Sequence, residues 1–372
     1  MVISMVDSLK QFFSNRSGGF GLEVTPERVN LAQLSKTGQN YKLLKYCSVD
    51  LAEGIFEEGK IVDPASLAET IRELITTNKV KAKRVATALP LKESIIRILS
   101  VPSELDENEL RELVLFQEAS LYLPYPKEEV DLDYQKLDFF LDEDEIEKVN
   151  ILLVGTKREI TDSYVDTAKQ ANLQLEVLEV NSFALMRILK GQLQQFSDRE
   201  AIVLVNIDFD NTEIVIVVNG SPQFSRTVPI GTVQMRTALA KAMGIPFSRN
   251  MDILQGVSIP ATRFDSLSTQ GTVTNPGMNA LTRVVGELTD ELRRSINFYL
   301  NQSEDLEVAQ LYLAGTGAGI NQLDEFFTQR LSLPTIQLDP IATLSLNIEE
   351  EISQFQRPSL GVVLGLAMRE LS

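Results

Sequence analysis

The feature that most constrains the fold is a succession of three strand-like runs and a helix that occurs twice, about 180 residues apart. In both copies short polar turns join the runs, and an amphipathic helical pattern follows. The runs of the first copy are Gly19 to Val24, Arg28 to Leu34 and Tyr41 to Asp50, and those of the second are Ala201 to Ile207, Glu213 to Asn219 and Gln223 to Pro229. A duplicated β-β-β-α plan predicts two similar α/β lobes that face each other.

The residue types that the chain lacks exclude whole classes of chemistry. There is no histidine among the 372 residues, and Cys47 is the only cysteine. The sequence therefore excludes Ser-His and Cys-His nucleophile pairs, histidine-ligated metals, cysteine-based zinc sites and an intramolecular disulfide. With 35 basic and 52 acidic residues, the net charge of −17 makes nucleic acid an unfavourable partner, because phosphate backbones are repelled.

The sequence predicts a cytoplasmic protein. No run approaches the ~20 apolar residues that cross a bilayer, and the N-terminus lacks the basic and apolar regions of a signal peptide. Residues 1–17 are predicted as an N-terminal amphipathic helix that docks on the protein or a partner, with a position on a membrane as the alternative. Its apolar positions are Val2, Met5, Val6, Leu9, Phe12 and Phe13.

Between the two copies lies a segment of different character, with strand patterns on both sides of a helix pattern that Pro124-Tyr125-Pro126 ends. We interpret this segment as a subdomain inserted into the first lobe. The predicted domains are the N-terminal helix at 1–17, a first lobe at 18–84 and 156–200 with the C-terminal helix at 357–372, the inserted subdomain at 85–155, and a second lobe at 201–356.

Three segments fall where an interlobe cleft would bind a nucleotide. Backbone amides in the tight turn of each lobe's first hairpin can face phosphates, and a carboxylate beside them can hold Mg²⁺ through water. The loop Gly315-Thr316-Gly317 follows an apolar strand, and glycine lets a backbone approach an adenosine closely. Alone, this loop equally fits an ordinary strand-to-helix turn.

Several motifs, in this order, resemble those of the PilM family, type IV pilus assembly proteins related to the division protein FtsA within the actin-like ATPase superfamily. The resemblance runs from about Gly19 to Met368. The motifs are Ala88-Leu89-Pro90 with Ile95-Ile96-Arg97, Phe116-Gln117-Glu118-Ala119 with Tyr122-Leu123-Pro124-Tyr125, Asp131 to Leu137, Asn219-Gly220-Ser221-Pro222 leading to Pro229-Ile230-Gly231, Glu291 to Tyr299, and Leu311 to Gly317.

The resemblance implies an α/β fold of the actin-like, ribonuclease H-like type, in which duplicated β-β-β-α domains surround a nucleotide cleft and an FtsA-type subdomain is inserted. ATP with Mg²⁺ is the cofactor that it implies. The nucleotide-binding candidates are Glu23, Thr25, Asn206, Asp208, Asn211, Thr212, Glu291, Arg294, Gly315, Thr316 and Gly317. For Glu291 and Arg294 the alternative, slightly favoured, is a solvated helix face.

The resemblance also implies a function as a cytoplasmic scaffold of the type IV pilus assembly platform, held at the inner membrane only through its partners. The partner would be a PilN-like inner-membrane protein, whose short N-terminal cytoplasmic peptide enters a groove beside the inserted subdomain; pilus motor or platform proteins would be further partners. The groove candidates are Ile95, Ile96, Arg97, Leu113, Phe116 and Gln117, although most of their apolar positions also fit a core. The sequence leaves open whether the chain forms a homo-oligomer.

The chain departs from the family pattern in both phosphate turns. Where the family usually has Gly-Leu-Asp-Ile-Gly-Ser, this chain has Gly21-Leu22-Glu23-Val24-Thr25-Pro26, and the usual Asp-Ile-Gly becomes Asn206-Ile207-Asp208. A carboxylate at ~4 Å from a phosphate oxygen costs roughly 4 kcal/mol at an effective dielectric constant near 20. We therefore predict that nucleotide binding is weak or lost and that hydrolysis is negligible, unless Asp208 takes over the metal role.

Two alternative functions are compatible with the same fold. An FtsA-like division protein would carry an amphipathic membrane helix on a C-terminal linker, whereas this sequence ends directly after an apolar helix. An active ATPase or sugar kinase would need intact phosphate turns and a carboxylate base, and both turns are altered.

Overall fold

The computed structural model describes residues 19–38, 40–249, 251–259, 275–303, 305–348 and 351–370. The predicted N-terminal helix and residues 260–274 lie outside these ranges. The described strands are β1 Phe20–Val24, β2 Arg28–Thr37, β3 Asn40–Asp50, β4 Phe56–Glu57, β5 Lys60–Ile61, β6 Arg84–Leu89, β7 Ser94–Pro102, β8 Val130–Leu141, β9 Glu147–Lys157, β10 Gln174–Val180, β11 Glu200–Ile207, β12 Thr212–Val218, β13 Ser221–Val228, β14 Glu307–Ala314 and β15 Thr335–Gln337. The described helices are α1 Pro64–Thr77, α2 Glu107–Glu112, α3 Ala119–Tyr122, α4 Arg158–Gln170, α5 Asn181–Ile188, α6 Lys190–Leu193, α7 Thr232–Met243, α8 Asp252–Gln255, α9 Pro276–Leu300, α10 Leu323–Leu331, α11 Pro340–Thr343 and α12 Gly361–Glu370.

Two five-stranded sheets share one topology. The first has the order β10-β6-β1-β2-β3, in which β1 pairs antiparallel with β2 and parallel with β6. The second has the order β15-β14-β11-β12-β13, in which β11 pairs antiparallel with β12 and parallel with β14. The predicted duplication of the three-stranded unit is thereby present, and the hairpin turns β1-β2 and β11-β12 occupy equivalent positions.

The central strands are mostly apolar and almost completely buried, because both faces of each sheet are covered. All five residues of β1 are buried, as are seven of the eight residues of β11. Helix α12 packs on β1, β2 and β6 and crosses α5. At this crossing Gly365 allows close approach, since a Cβ at that position would lie 2.2 Å from the carbonyl oxygen of Ala184. The last helix is thus built into the first sheet's core.

A separate three-stranded antiparallel sheet, in the order β7-β9-β8, forms the inserted segment. One face of this sheet packs on a continuous helical stretch made of α2, a π-helical segment at Leu113–Glu118 and α3. Alternate residues of β9, Val149, Ile151 and Leu153, are buried under these helices, as the period of a half-buried strand requires. Pro124 and Pro126 follow the helical stretch and prevent its continuation.

Candidate functional site

The turn between β1 and β2 forms part of the wall between the lobes, and two of its amides are bonded within the hairpin. The backbone N–H of Thr25 donates to the carbonyl of Arg28 at 2.9 Å, and the N–H of Arg28 donates to Thr25 Oγ1 at 3.0 Å. Pro26 has no amide proton to offer. The buried Glu23 accepts a hydrogen bond from Asn30 Nδ2 at 2.9 Å. Few groups of this turn therefore remain to bind a phosphate.

The turn between β11 and β12 is closed in the same way. The N–H of Asp208 donates to the carbonyl of Asn211 at 3.0 Å, and the N–H of Phe209 donates to Asp208 Oδ1 at 2.8 Å. The first amides of α7, on Thr232 and Val233, donate to the carbonyls of Asp208 and Phe209 at 2.9 and 2.8 Å. Amides at a helix N-terminus are good anion donors when free; here the adjacent turn occupies them.

The polar side chains predicted near the second turn also have partners inside the lobe. Asn206 donates through Nδ2 to Glu213 Oε2 at 3.3 Å, and the Thr212 hydroxyl donates to the carbonyl of Ile230 at 2.6 Å. Asn211 donates through Nδ2 to the adjacent aspartate at 2.6 Å, while its buried Oδ1 has no hydrogen-bond partner among the described residues. These three side chains stabilise the turn.

The glycine loop after β14 packs tightly on β11. Gly315 has φ +85°, and a Cβ there would lie 2.5 Å from Asn206 Oδ1 and from the carbonyl oxygen of Ile207. A Cβ at Gly317 would lie 2.3 Å from Ile207 Cγ2. Both glycines are thus needed for contact between the loop and the strand, whether or not a ligand approaches. Thr316 Oγ1 is buried without a hydrogen-bond partner among the described residues.

Three carboxyl groups lie near each other below the turns, those of the buried Glu23 and Glu213 and of the half-buried Asp208. Burial, together with the charges of Asp208 and Glu213, raises the pKa of Glu23 to about 8. Burial and the charge of Glu213 raise the pKa of Asp208 to about 7, and burial raises the pKa of Glu213. In the described ranges, no three acidic or cysteine side chains converge in the manner of metal ligands. A triphosphate placed beside these carboxyl groups would add negative charge where mutual repulsion already contributes to the raised pKa values.

Glu213 was not predicted as a functional residue, yet it joins the two lobes. It accepts the backbone N–H of Leu91 at 2.6 Å and Asn181 Nδ2 at 3.5 Å, both from the first half of the chain, in addition to Asn206. A second link is the ion pair between Lys92 Nζ and Asp210 Oδ2 at 2.9 Å. The sequence signal for Glu213 was that this single carboxylate comes directly before the apolar residues of β12.

Two arginines of the second lobe reach the first turn, and sequence reasoning missed both. Arg236 of α7 is 1% exposed and lies 2.7 Å from Glu27 Oε1. Arg249 donates to the carbonyl of Pro26 at 2.5 Å. Both guanidinium groups lie over the ring of Phe209, at 5.3 and 5.4 Å from its centroid. Arg236 could have been suspected, because it occupies a position on the apolar stripe of its helix.

Of the two helix residues predicted to reach a nucleoside, Glu291 forms ion pairs with the other, Arg294, and with Arg226 of the edge strand β13. The contact with Arg294, and to a smaller extent the contact with Arg226, lowers the pKa of Glu291. Neither residue lines the cavity described next.

A cavity of about 460 Å³ remains between the lobes. Of the predicted nucleotide-binding residues, Thr316 alone lines it. The lining residues are Glu27, Arg28, Asp50, Leu51, Arg249, Met251, Gln255, Thr316, Phe355, Gln356 and Ser359. Its volume falls in the range of small-molecule sites, but the turn amides do not open into it as donors.

The groove candidates lie on two elements of the inserted segment. Ile95, Ile96 and Arg97 are on β7, an edge strand that pairs with β9 on one side. Ile96 is buried in the core of the first lobe, whereas Arg97 is exposed. Leu113, Phe116 and Gln117 are on the π-helical segment, where Leu113 packs partly on the subdomain core and Phe116 is 60% exposed.

Two exposed aromatic rings, Phe116 within this helical stretch and Tyr125 just after it, each lie close to a lysine side chain. Lys127 Nζ lies 3.1 Å from the centroid of the Phe116 ring, and Lys157 Nζ lies 4.1 Å from that of Tyr125. Such rings offer apolar area and cation–π contacts at one place on the surface. We call Phe116, Tyr125, Lys127 and Lys157 the aromatic–lysine patch. In the described part of the chain, no helix has the length and apolarity that a membrane span requires.

Comparisons with known proteins agree with the duplicated fold. The chain is similar to a solved PilM-PilN type IV pilus biogenesis complex, with 25% identity and a TM-score of 0.80 over 96% of this chain and 99% of that chain. It is also similar in fold to the ethanolamine utilization protein EutJ from Carboxydothermus hydrogenoformans (14% identity, TM-score 0.54, 95% and 90% of the two chains). MreB 5 of Spiroplasma citri, solved with AMPPNP, gives 12% identity and a TM-score of 0.52 over 90% and 96%.

These matches confirm the predicted actin-like fold class. The sequence profile of the family described as type IV pilus assembly protein PilM matches residues 21–371. Because that match covers nearly the whole sequence, the chain belongs to the PilM family of type IV pilus assembly proteins.

Proposed function

We propose that this protein is a cytoplasmic scaffold of the type IV pilus assembly platform, where it binds the N-terminal cytoplasmic tail of a PilN-like inner-membrane protein. The observation that carries the proposal is the near full-length similarity to the PilM of a PilM-PilN complex. Attachment to the inner membrane would then be indirect, through the membrane protein whose tail is bound.

The surface between β7 and the π-helical segment supports this peptide site. Within the described residues β7 pairs with β9 alone, so its second edge offers backbone donors and acceptors to an extended segment. Phe116 and Tyr125 of the aromatic–lysine patch offer exposed apolar area in the same subdomain. An extended peptide would add a strand to β7 and place apolar side chains against these rings.

The test is binding of a synthetic N-terminal peptide of the PilN-like protein, measured by fluorescence anisotropy. We expect Phe116→Ala to weaken binding by roughly tenfold or more, the usual effect of removing an aromatic contact residue. Phe139→Ala is the matched control, since Phe139 is also 60% exposed but lies on β8, at the opposite edge of the sheet. Equal affinity of both variants and the unmodified protein would contradict this location, and absence of binding by the unmodified protein would contradict the proposed partner.

We further propose that the cleft binds Mg·ATP weakly or not at all. The amides of Thr25, Arg28, Asp208 and Phe209 are bonded within the protein, and carboxyl groups lie beneath the turns. Calorimetry with Mg·ATP should then detect no micromolar binding. If micromolar binding is found and Thr316→Arg, which would fill the cavity, abolishes it, the proposal of an impaired nucleotide site is wrong.

A further inference from the structure

The two lobes of this protein make polar contacts across the cleft at the level of the two hairpin turns. We infer that these contacts hold the lobes closed without a nucleotide, so that the chain's own side chains do the bridging that a bound nucleotide would do. We call the Glu27–Arg236 ion pair and the Arg249–Pro26 hydrogen bond the interlobe clamp. The inference deepens the proposal of an impaired nucleotide site and rests on it.

The first contact of the clamp is buried and has several supports. Arg236 lies 2.7 Å from Glu27 Oε1, with the two side chains 1% and 9% exposed. The same guanidinium group donates to the carbonyl and the hydroxyl of Thr232 at 3.3 and 3.4 Å and to the carbonyl of Arg249. Its position is therefore fixed by its own lobe before it meets Glu27. A guanidinium group held in this way is a pre-organised partner for the first turn.

The second contact binds the same turn from the side of the cavity. Arg249 donates to the carbonyl of Pro26 and lies 3.5 Å from Glu53 Oε1, so it contacts two segments of the first lobe. The Phe209 ring, from the second turn, lies beneath both guanidinium groups. The space between the two turns thus contains two cations, one carboxylate and an aromatic ring.

A third set of interlobe contacts lies at the floor of the cleft. Glu213 accepts the Leu91 amide, and Lys92 pairs with Asp210. The arginines of the clamp and this floor both contact the second turn, through Phe209 and Asp210 respectively. A protein closed in this way would present its partner-binding surface in one conformation, independent of nucleotide concentration.

The experiment is hydrogen–deuterium exchange of the full chain, read out at the Thr25–Arg28 turn and at α7. The double variant Glu27→Gln/Arg236→Met removes both charges, so neither charge is left buried alone. We expect its exchange at these segments to be roughly tenfold faster, which corresponds to about 1.4 kcal/mol of lost local protection. Arg249→Gln should give a smaller acceleration at the turn. Glu107→Gln is the control, since Glu107 forms an ion pair with Lys136 inside the inserted segment.

Adding millimolar Mg·ATP to the unmodified protein separates the two proposals. No change in exchange at the cleft is expected. If Mg·ATP slows exchange there, the proposal of an impaired nucleotide site fails, whatever the variants do. If the double variant exchanges at the rate of the unmodified protein, the clamp does not hold the lobes and this inference is overturned, while the nucleotide proposal stands.

Discussion

Replacement of Glu213 by alanine should be among the most damaging single changes at the lobe interface. The carboxylate is 3% exposed and accepts three hydrogen bonds, from the Leu91 amide at 2.6 Å, Asn206 Nδ2 at 3.3 Å and Asn181 Nδ2 at 3.5 Å. Alanine would leave three buried donors without their acceptor. Two of these donors belong to the first half of the chain, so the change acts on the contact between lobes as well as within the second lobe.

The size of the effect follows from the strength of these bonds. A hydrogen bond to a charged group contributes roughly 1.5–3 kcal/mol, so the two shorter bonds together contribute about 3–6 kcal/mol. Burial of the carboxylate opposes this contribution, as its raised pKa indicates. We therefore expect Glu213→Ala to lower the free energy of unfolding by about 3 kcal/mol. Glu213→Gln keeps an acceptor for Leu91 and should cost about 1 kcal/mol.

The assay is urea unfolding followed by far-UV circular dichroism, because the chain has no tryptophan. With a slope of about 3 kcal/mol per molar, the expected loss for Glu213→Ala moves the midpoint by about 1 M. Glu107→Ala, at an exposed ion pair, is the control and should change stability by less than about 0.5 kcal/mol. A loss below 1 kcal/mol for Glu213→Ala would refute the reasoning that this carboxylate joins the lobes.

Two further changes test other parts of the fold. Gly365→Ala should destabilise the protein by about 2 kcal/mol in the same assay, because its Cβ would meet the Ala184 carbonyl oxygen, whereas Gly286→Ala on α9 has open space and should be neutral or stabilising. The raised pKa values of Glu23 and Asp208, about 8 and about 7 against ordinary values of 4.5 and 3.8, mean that the folded state binds more protons than the unfolded state between these limits. Melting temperature should therefore fall as pH rises from 5 to 8, and a rise over that interval would contradict the burial of these groups.

The fold could be predicted from sequence because its signals are local and repeated. The β-β-β-α pattern fixes both hairpins, and the structure extends β2 to Thr37, beyond the predicted end at Leu34. Helix α9 begins at Pro276, where Asn275 caps it by accepting the Gly277 amide. Such ends depend on caps and cross-strand pairing that an apolar pattern does not encode.

The departures of the two turns from the family pattern could also be found from sequence, but the side-chain contacts that bridge the cleft could not. A missing glycine or an added carboxylate is visible in the string of residues. The approach of Arg236 to Glu27 joins positions 209 residues apart, and nothing local specifies it. Glu213 is similar, since its partner Leu91 lies 122 positions away. Sequence reasoning thus identified the altered residues of the turns, but it missed the contacts of Arg236 and Glu213 across the cleft.

The altered turns and the contacts that bridge the cleft have one physical explanation. A cleft between two lobes leaves polar turn groups facing each other, and these need either a ligand or partners from the protein. In this chain the Thr232 and Val233 amides are used by the second turn, and Glu27 meets a guanidinium group of the opposite lobe. Burial raises the pKa of Glu27 and the Arg236 guanidinium group opposes that rise, so the charged carboxylate depends on its partner from the opposite lobe. A nucleotide that enters the cleft would have to break that arrangement, which is why we propose that the arrangement acts against ATP binding while it holds the two lobes together.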